Sequence, residues 1–239
     1  MAEFRVQELQ AAAESWSAAE VLTWAFQRFG PRIALASAFG PEGMVLIDVA
    51  VELRPDVRVF TLDTGLFFPE TYELMSAVEQ RYGIAIERVR PALTVEEQAV
   101  QHGLALWQHN PDRCCYMRKI EPLRRKLATL DAWITAIRRD QTLDRAHAQK
   151  VEWDAKFGLV KVNPLCDWTS EMVWEYLRAK EVPYNALHDR GYPSVGCAPC
   201  TLPAQNRDDA RSGRWAGLDK TECGLHQRPQ PNPLRVLQE

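Results

Sequence analysis

Six cysteines fall unevenly along a chain of 239 residues: Cys114-Cys115, Cys166, Cys197-x-x-Cys200 and Cys223. A thiolate can ligate metal, exchange disulfides or attack an electrophile, and spacing helps to sort these uses. A CxxC turn brings two thiolates to one centre, and Cys114-Cys115 can supply two more once the chain folds. Four sulfurs so arranged suit either a zinc ion or a [4Fe–4S] cluster. Adjacent cysteines are unusual for zinc knuckles, whose paired ligands are normally separated by other residues. A redox CxxC is less natural, because Gly196 and Pro199 provide no strand-to-helix entry. Cys166, in the stretch NPLCDWT, reads as a free thiol at the edge of the core.

Cys223 stands apart in Lys220-Thr-Glu-Cys-Gly-Leu-His226. Cationic neighbours and access are what a nucleophilic thiol requires, although the same context also fits a leftover exposed cysteine. Basic residues form three clusters: Arg118-Lys119 after the cysteine pair, Arg138-Arg139 after an apolar run, and Arg207, Arg211 and Arg214 before Cys223. One such pair is ordinarily a solvated face. Three, each beside a strand end or a cysteine motif, fit a polyanionic ligand, because guanidinium groups bind phosphate or sulfonate oxygens through paired hydrogen bonds. Ser37-Ala-Phe-Gly40-Pro-Glu-Gly43 adds a glycine-containing loop before a helix, whose free N–H groups suit an anion. It is not a Walker-type loop. Leu62-Asp63-Thr64-Gly65 is a second loop suited to nucleotide contacts.

These residues need a scaffold. Short apolar runs at 33–39, 57–64, 85–90, 132–139 and 159–165 read as strands. Helical spacing appears at 16–29, and helix-like segments follow at 43–53, 69–82, 94–107, 117–130 and 170–180, with Pro122 starting or kinking the fourth of these near Glu121. Alternation of strand and helix predicts an α/β fold, a parallel sheet flanked by helices on both faces. Ligands in such folds gather beyond the carboxyl ends of the strands. After about Asp189 the texture becomes rich in Gly, Pro, Arg and Cys. The expected organisation is a nucleotide-binding α/β domain with the metal site over 1–205 and a mobile C-terminal arm carrying Cys223 over 206–239.

A net charge of -3 gives no global field for nucleic acid or an anionic membrane, so an anionic ligand must be held by local Arg and Lys. The N-terminal stretch carries Glu3, Glu8 and Glu14 without an apolar signal core, and no run is long enough to span a membrane. A cytoplasmic protein is expected, and there clustered cysteines favour metal or redox chemistry over disulfides. The sequence leaves a homo-oligomer open.

Taken together, the chain resembles the adenylyl-sulfate/phosphoadenylyl-sulfate reductase family. The stretches that carry the likeness are SAFGPEGMVL, LDTGLFFPETYEL, CCYMRKIEPL, IRRDQTLDRA, VNPLCDW, GCAPCT, ARSGRW and KTECGLH, in order over roughly 33–226. The CC…CxxC set combined with ECGLH is specific; the glycine loop is not. The resemblance implies a fold related to ATP pyrophosphatases (adenine nucleotide alpha-hydrolases). It also implies a [4Fe–4S] cluster on Cys114, Cys115, Cys197 and Cys200, acting through charge and structure rather than as an electron donor. Cys223 becomes the nucleophile that takes the sulfonate from adenylyl sulfate. Lys119, Arg211 and Arg214 would hold the phosphosulfate, with Lys119 between cluster and substrate. Arg139, Ser37, Gly40 and Gly43, together with Leu62, Asp63, Thr64 and Gly65, would border the nucleotide. His226 would favour the thiolate or help close the tail. Thioredoxin or a similar dithiol would discharge the sulfonate as sulfite, in sulfate assimilation.

The alternative within the family is reduction of the 3′-phosphorylated substrate, which Glu42 in the SAFGPEG loop would repel. An adenylating or tRNA-thiolating ATP pyrophosphatase should show an SGGxDS loop, absent here. A zinc-stabilised nucleic-acid module is disfavoured by the acidic balance and the lack of an aromatic–basic stripe.

Overall fold

The computed structural model describes residues 2–204, 206, 209–218, 220 and 222–226. In chain order the elements are α1 (Ala2–Ala13), α2 (Ala18–Phe29), β1 (Ile33–Ala36), α3 (Pro41–Leu53), β2 (Val59–Leu62), α4 (Pro69–Tyr82) and β3 (Ile86–Val89). There follow α5 (Val95–His102), α6 (Leu106–His109), α7 (Pro111–Cys115), a π-helical turn at Tyr116–Ile120, and α8 (Glu121–Leu127). The chain then runs through β4 (Ala132–Ile134), β5 (Val151–Asp154), β6 (Leu159–Val162) and α9 (Ser170–Ala179). Arg207, Thr221 and the tail 227–239, which the sequence includes in the arm, lie outside the described residues.

The six strands lie in the order β3-β2-β1-β4-β6-β5. All neighbouring pairs are parallel except β5 with β6. The central strands are apolar on both faces because both are covered. Ile33, Leu35, Ile134 and Val162 point into the larger core with α2, α3 and α9. Ala34, Phe60, Trp133 and Leu159 point into a second core with Leu123 and Leu127 of α8. From β1 the chain winds towards β2 and β3, then returns across the sheet to place β4 on the other flank of β1. This reversal opens a crevice at the carboxyl ends of β1 and β4, where α/β sheets bind ligands.

Local signals start and stop the elements. Ser17 and Glu20 form a capping box on α2, and Thr94 and Glu97 form one on α5. Gly83 ends α4 in the left-handed conformation.

Two departures from expectation have physical causes. The expected helix over 94–107 breaks at Gly103, whose φ is 85°, leaving α5 and α6 as separate pieces. The helix expected over 117–130 begins earlier, at Pro111, with Asn110 accepting a hydrogen bond from the Arg113 N–H at 3.0 Å. Pro122 falls in the first turn of α8, after the π turn, where a proline is tolerated. α1 and β5 have no counterpart in the expected elements.

Candidate active site

A cleft of about 1120 Å³ occupies the crevice at the switch between β1 and β4. Its floor is the loop after β1. Gly40 precedes α3 without a side-chain cap, so the helix presents free N–H groups to the cleft. The Ser37 hydroxyl accepts from the Phe39 N–H at 3.1 Å, and a Cβ at Gly43 would sit 2.6 Å from that hydroxyl oxygen. Gly43 is therefore required for the loop to keep this shape. Ser37, Gly40 and Gly43 all line the cleft.

The second expected loop divides. Leu62 lines the cleft, but Asp63, Thr64 and Gly65 do not. The buried Asp63 carboxylate accepts from the Tyr72 hydroxyl at 2.8 Å and pairs with Arg90 at 3.3 Å. Thr64 turns to the cysteines: its hydroxyl lies 3.3 Å from Cys197 Sγ, and its carbonyl accepts from Arg118 Nε at 2.6 Å. Thr64 thus braces the sulfur site, while Asp63 is committed to Tyr72 and Arg90. Arg139 is displaced in the same way. Its guanidinium pairs with Glu14 at 2.5 Å and donates to the Ala148 carbonyl at 2.7 Å, outside the cleft. Its neighbour Arg138 lines the cleft instead, buried between Glu42 and Asp140, each at 3.0 Å. Glu42 is thus paired with Arg138, which weakens it as a repeller of a 3′-phosphate.

Cys114, Cys115, Cys197 and Cys200 line one small hollow together with Arg118, Lys119, Trp107 and Trp215. Two come from the end of α7 and two from a short turn in which the Cys200 N–H donates to the Cys197 carbonyl at 3.0 Å. The Ala198 N–H donates to the Leu66 carbonyl at 2.7 Å, fixing that turn against the loop after β2. Burial pushes the Cys114, Cys115 and Cys200 thiols up, Cys115 to about 12 and Cys200 to about 11. Ionising them together therefore calls for added positive charge. The all-sulfur donor set matches the ligand chemistry of an iron–sulfur group. Among the described residues no three His, Cys, Asp or Glu side chains converge as a single-ion site requires. Cys166 is remote from this set, wholly buried with Ile137 and Ala148.

Lys119 lines both the hollow and the cleft. Burial alone would lower its ammonium, but the surrounding Cys197, Cys223 and Cys115 sulfurs outweigh that and raise it. The reciprocal effect falls on half-buried Cys223, which lines the cleft. Burial opposes its ionisation, yet Lys119, a backbone hydrogen bond at Leu225 and Arg214 bring the thiol below its ordinary value. His226 also lines the cleft, stacked on Trp133 with ring centroids 5.8 Å apart. Burial, then the charges of Lys161, Arg145 and Lys156, depress its pKa well below the usual histidine value. A neutral imidazole cannot supply the charge that favours a thiolate; Lys119 does so.

Arg211 and Arg214 line the opposite wall. Arg214 lies 4.6 Å over the Trp215 ring, its Nη1 3.2 Å from Ser194 Oγ, and Gly196 leaves it room. Arg211 pairs with Glu222 at 3.5 Å. Arg145 and Glu222 were not expected in the site, and Arg138 only as one of a basic pair; Arg138 and Glu222 adjoin Arg139 and Cys223 in sequence, but adjacency alone assigns no role.

A family model described as "Phosphoadenosine phosphosulfate reductase domain" matches residues 32–203. The chain is 50% identical over 209 residues to adenosine 5′-phosphosulfate reductase 2 of Bacillus subtilis, covering 87% of this chain and 89% of that protein. It is 46% identical over 227 residues to adenosine 5′-phosphosulfate reductase of Salinibacter ruber, covering 95% and 90%. Among solved structures it is similar to phosphoadenylyl-sulfate reductase from Candida auris in a phosphate complex, with TM-score 0.73, 31% identity, and 84% and 98% of the two chains covered. FMN adenylyltransferase of Candida glabrata shares the fold alone, at TM-score 0.57 and 18% identity over 82% of this chain and 70% of that one.

Proposed function

The chain belongs to the phosphoadenosine phosphosulfate reductase domain family and is an oxidoreductase acting on a sulfur group; we propose that it reduces adenylyl sulfate to sulfite and AMP through a sulfonate carried on Cys223. The observation that carries the mechanism is the placement of Cys223 with Lys119, Arg211 and Arg214 in one cleft at the sheet's switch point. Relatives 46–50% identical and named adenosine 5′-phosphosulfate reductases support the unphosphorylated substrate.

The phosphosulfate linkage already contains a good leaving group, so the protein mainly has to position a thiolate and balance charge. The α3 N-terminus and the Ser37–Gly43 loop would hold the nucleotide's phosphate. Lys119, Arg211 and Arg214 would take the sulfate end. Cys223 attacks the sulfate sulfur, a new S–S bond forms, and the S–O bond to the adenylate phosphate breaks with its electron pair leaving on AMP. A dithiol such as thioredoxin then attacks the Cys223 sulfur, sulfite departs with the S–S electron pair, and the second thiol closes the reductant's disulfide. His226, neutral and stacked on Trp133, would help to close the covering segment.

Cys114, Cys115, Cys197 and Cys200 would hold a [4Fe–4S] cluster, whose contribution is to staple α7 to the Cys197–Cys200 turn and set the charge around Lys119. A cytoplasmic setting, where thiols stay reduced, suits both the sulfur site and the dithiol; no helix among the described residues is long and apolar enough to cross a membrane.

The test is a single turnover without reductant. The protein should release about one AMP per site and gain the mass of a sulfonate on Cys223, as expected for a trapped covalent intermediate. Cys223→Ser should keep its iron and form no adduct. Continued sulfite formation by Cys223→Ser would overturn the proposal.

A further inference from the structure

We propose that Glu222 is a positioning residue, a charged latch that fastens the Cys223 segment over the cleft; the inference rests on Cys223 being the nucleophile. An acidic residue beside the attacking thiol is an unfavourable choice by itself. Its charge opposes thiolate formation and repels an anionic substrate. Glu222 is nonetheless only 3% exposed, and a carboxylate is kept in such a place only when it is paired.

Its partners come from two different parts of the fold. Arg145, in the connection between β4 and β5, lies 3.0 Å from one carboxylate oxygen, which also accepts from the Thr142 hydroxyl at 3.2 Å. Arg211, in the covering segment itself, lies 3.5 Å from the other oxygen. The carboxylate therefore bridges the sheet's loops to the segment that closes over them. On the far side of Cys223 the attachments are of another kind. Lys156 donates to the Gly224 carbonyl, Leu225 packs on the second core and His226 stacks on Trp133. On the near side, among the described residues, Glu222 adds an ionic fastening to the loops of the sheet beside the one from Lys220 to Asp112 of α7.

Arg145 and Arg211 both line the cleft that would take the substrate. Part of the site's positive charge is thus committed to holding the nucleophile in place. Glu222→Gln keeps the side chain's shape, removes that commitment and loosens Cys223. Binding and chemistry should then move in opposite directions, which the loss of a purely structural residue would not produce.

The experiment compares iron-loaded wild type, Glu222→Gln and Glu222→Asp in three measurements. These are AMP affinity, the single-turnover rate of Cys223 sulfonation, and the rate at which iodoacetamide alkylates Cys223 without substrate. For Glu222→Gln the expected results are AMP affinity equal to or tighter than wild type, sulfonation slower by about tenfold or more, and alkylation severalfold faster. Glu222→Asp should recover part of the sulfonation rate. If Glu222→Gln fails to load iron, Arg145→Gln takes its place and should show the same slower sulfonation and faster alkylation. The proposal is overturned if AMP affinity and sulfonation fall together in Glu222→Gln. It is also overturned if sulfonation and alkylation both stay within about twofold of wild type. A wild type that gains no sulfonate on Cys223 would refute the assignment of the nucleophile instead, while alkylation, which needs no substrate chemistry, would still read the latch.

Discussion

Replacing Lys119 by Met keeps an unbranched stem of similar length and removes the charge that faces Cys223. In the native protein Lys119 is the largest of the influences that bring the Cys223 thiol down, against burial and Glu222, which push it up. Without it the thiol should rise. Each unit of rise above the assay pH costs about tenfold in thiolate, but the more basic thiolate is the better nucleophile by about threefold per unit. Ionisation alone should therefore cost about threefold per unit. The lost contact to the anionic substrate is larger, about 1.5–3 kcal/mol for a charge-assisted hydrogen bond, or about 10- to 150-fold. These two losses separate by pH. The reactive form is deprotonated, so activity is lost as pH falls through the thiol's pKa. The wild type should hold its sulfonation rate to lower pH than Lys119→Met, and raising the pH should recover the ionisation part in the variant but not the contact part. Rapid-quench measurement of AMP release from about pH 6 to about pH 9.5, on protein of equal iron content, reads both. A variant whose profile has the wild-type shape, with a loss under about threefold, would show that Lys119 neither tunes the thiol nor touches the substrate.

Serine at any of Cys114, Cys115, Cys197 or Cys200 should abolish bound iron and sulfide, whereas Cys166→Ser and Cys223→Ser should retain both by elemental analysis. Arg211→Ala and Arg214→Ala should each weaken substrate binding by about 1.5–3 kcal/mol with little change in unfolding midpoint. Gly196→Ala should imitate Arg214→Ala in the same binding assay, because its Cβ would fall 2.3 Å from the Arg214 guanidinium and drive it aside. In direct competition adenylyl sulfate should be favoured over its 3′-phosphorylated form by about tenfold or more, and Glu42→Gln should shift that ratio by less than about threefold, since Glu42 is already paired with Arg138.

The sheet was legible because strands covered on both faces read as apolar runs: 33–39, 57–64 and 159–165 contain β1, β2 and β6. β5 was not, because Val151-Glu-Trp-Asp154 is an edge strand whose pairing depends on Leu159–Val162 rather than on its own pattern. α1 was missed because its described side chains give the core only Val6, Ala13 and the partly buried Leu9, too sparse a stripe to stand out in the sequence. Within the site, the cysteine pairs and the basic clusters stood out by residue type and spacing, whereas particular roles for Lys119, Arg211 and Arg214 came from the family resemblance. The choice between Arg138 and Arg139 was not legible. Arg138 has extended backbone, so neighbouring side chains diverge, and only the surrounding loops decide which one meets the cleft. Asp63 was misplaced for a related reason: its carboxylate is committed to Tyr72 and Arg90, a partnership that no local pattern announces.

The π-helical turn at Tyr116–Ile120 works as a phase slip in a screw. It admits surplus backbone between α7 and α8, and so decides which way the cysteine-bearing α7 faces. An α-helix turns by about 100° per residue. Deleting one residue from the slip would restore uniform winding and swing Cys114 and Cys115 around the helix axis, away from Cys197 and Cys200. α8, anchored by Leu123 and Leu127 on Phe60 and Trp133, would keep its seat. A single lost codon here would thus spare the sheet and the cleft's nucleotide end while scattering the sulfur set. This short helix is therefore a place where the architecture and its set of four sulfurs can part company by the smallest change in length that a gene allows.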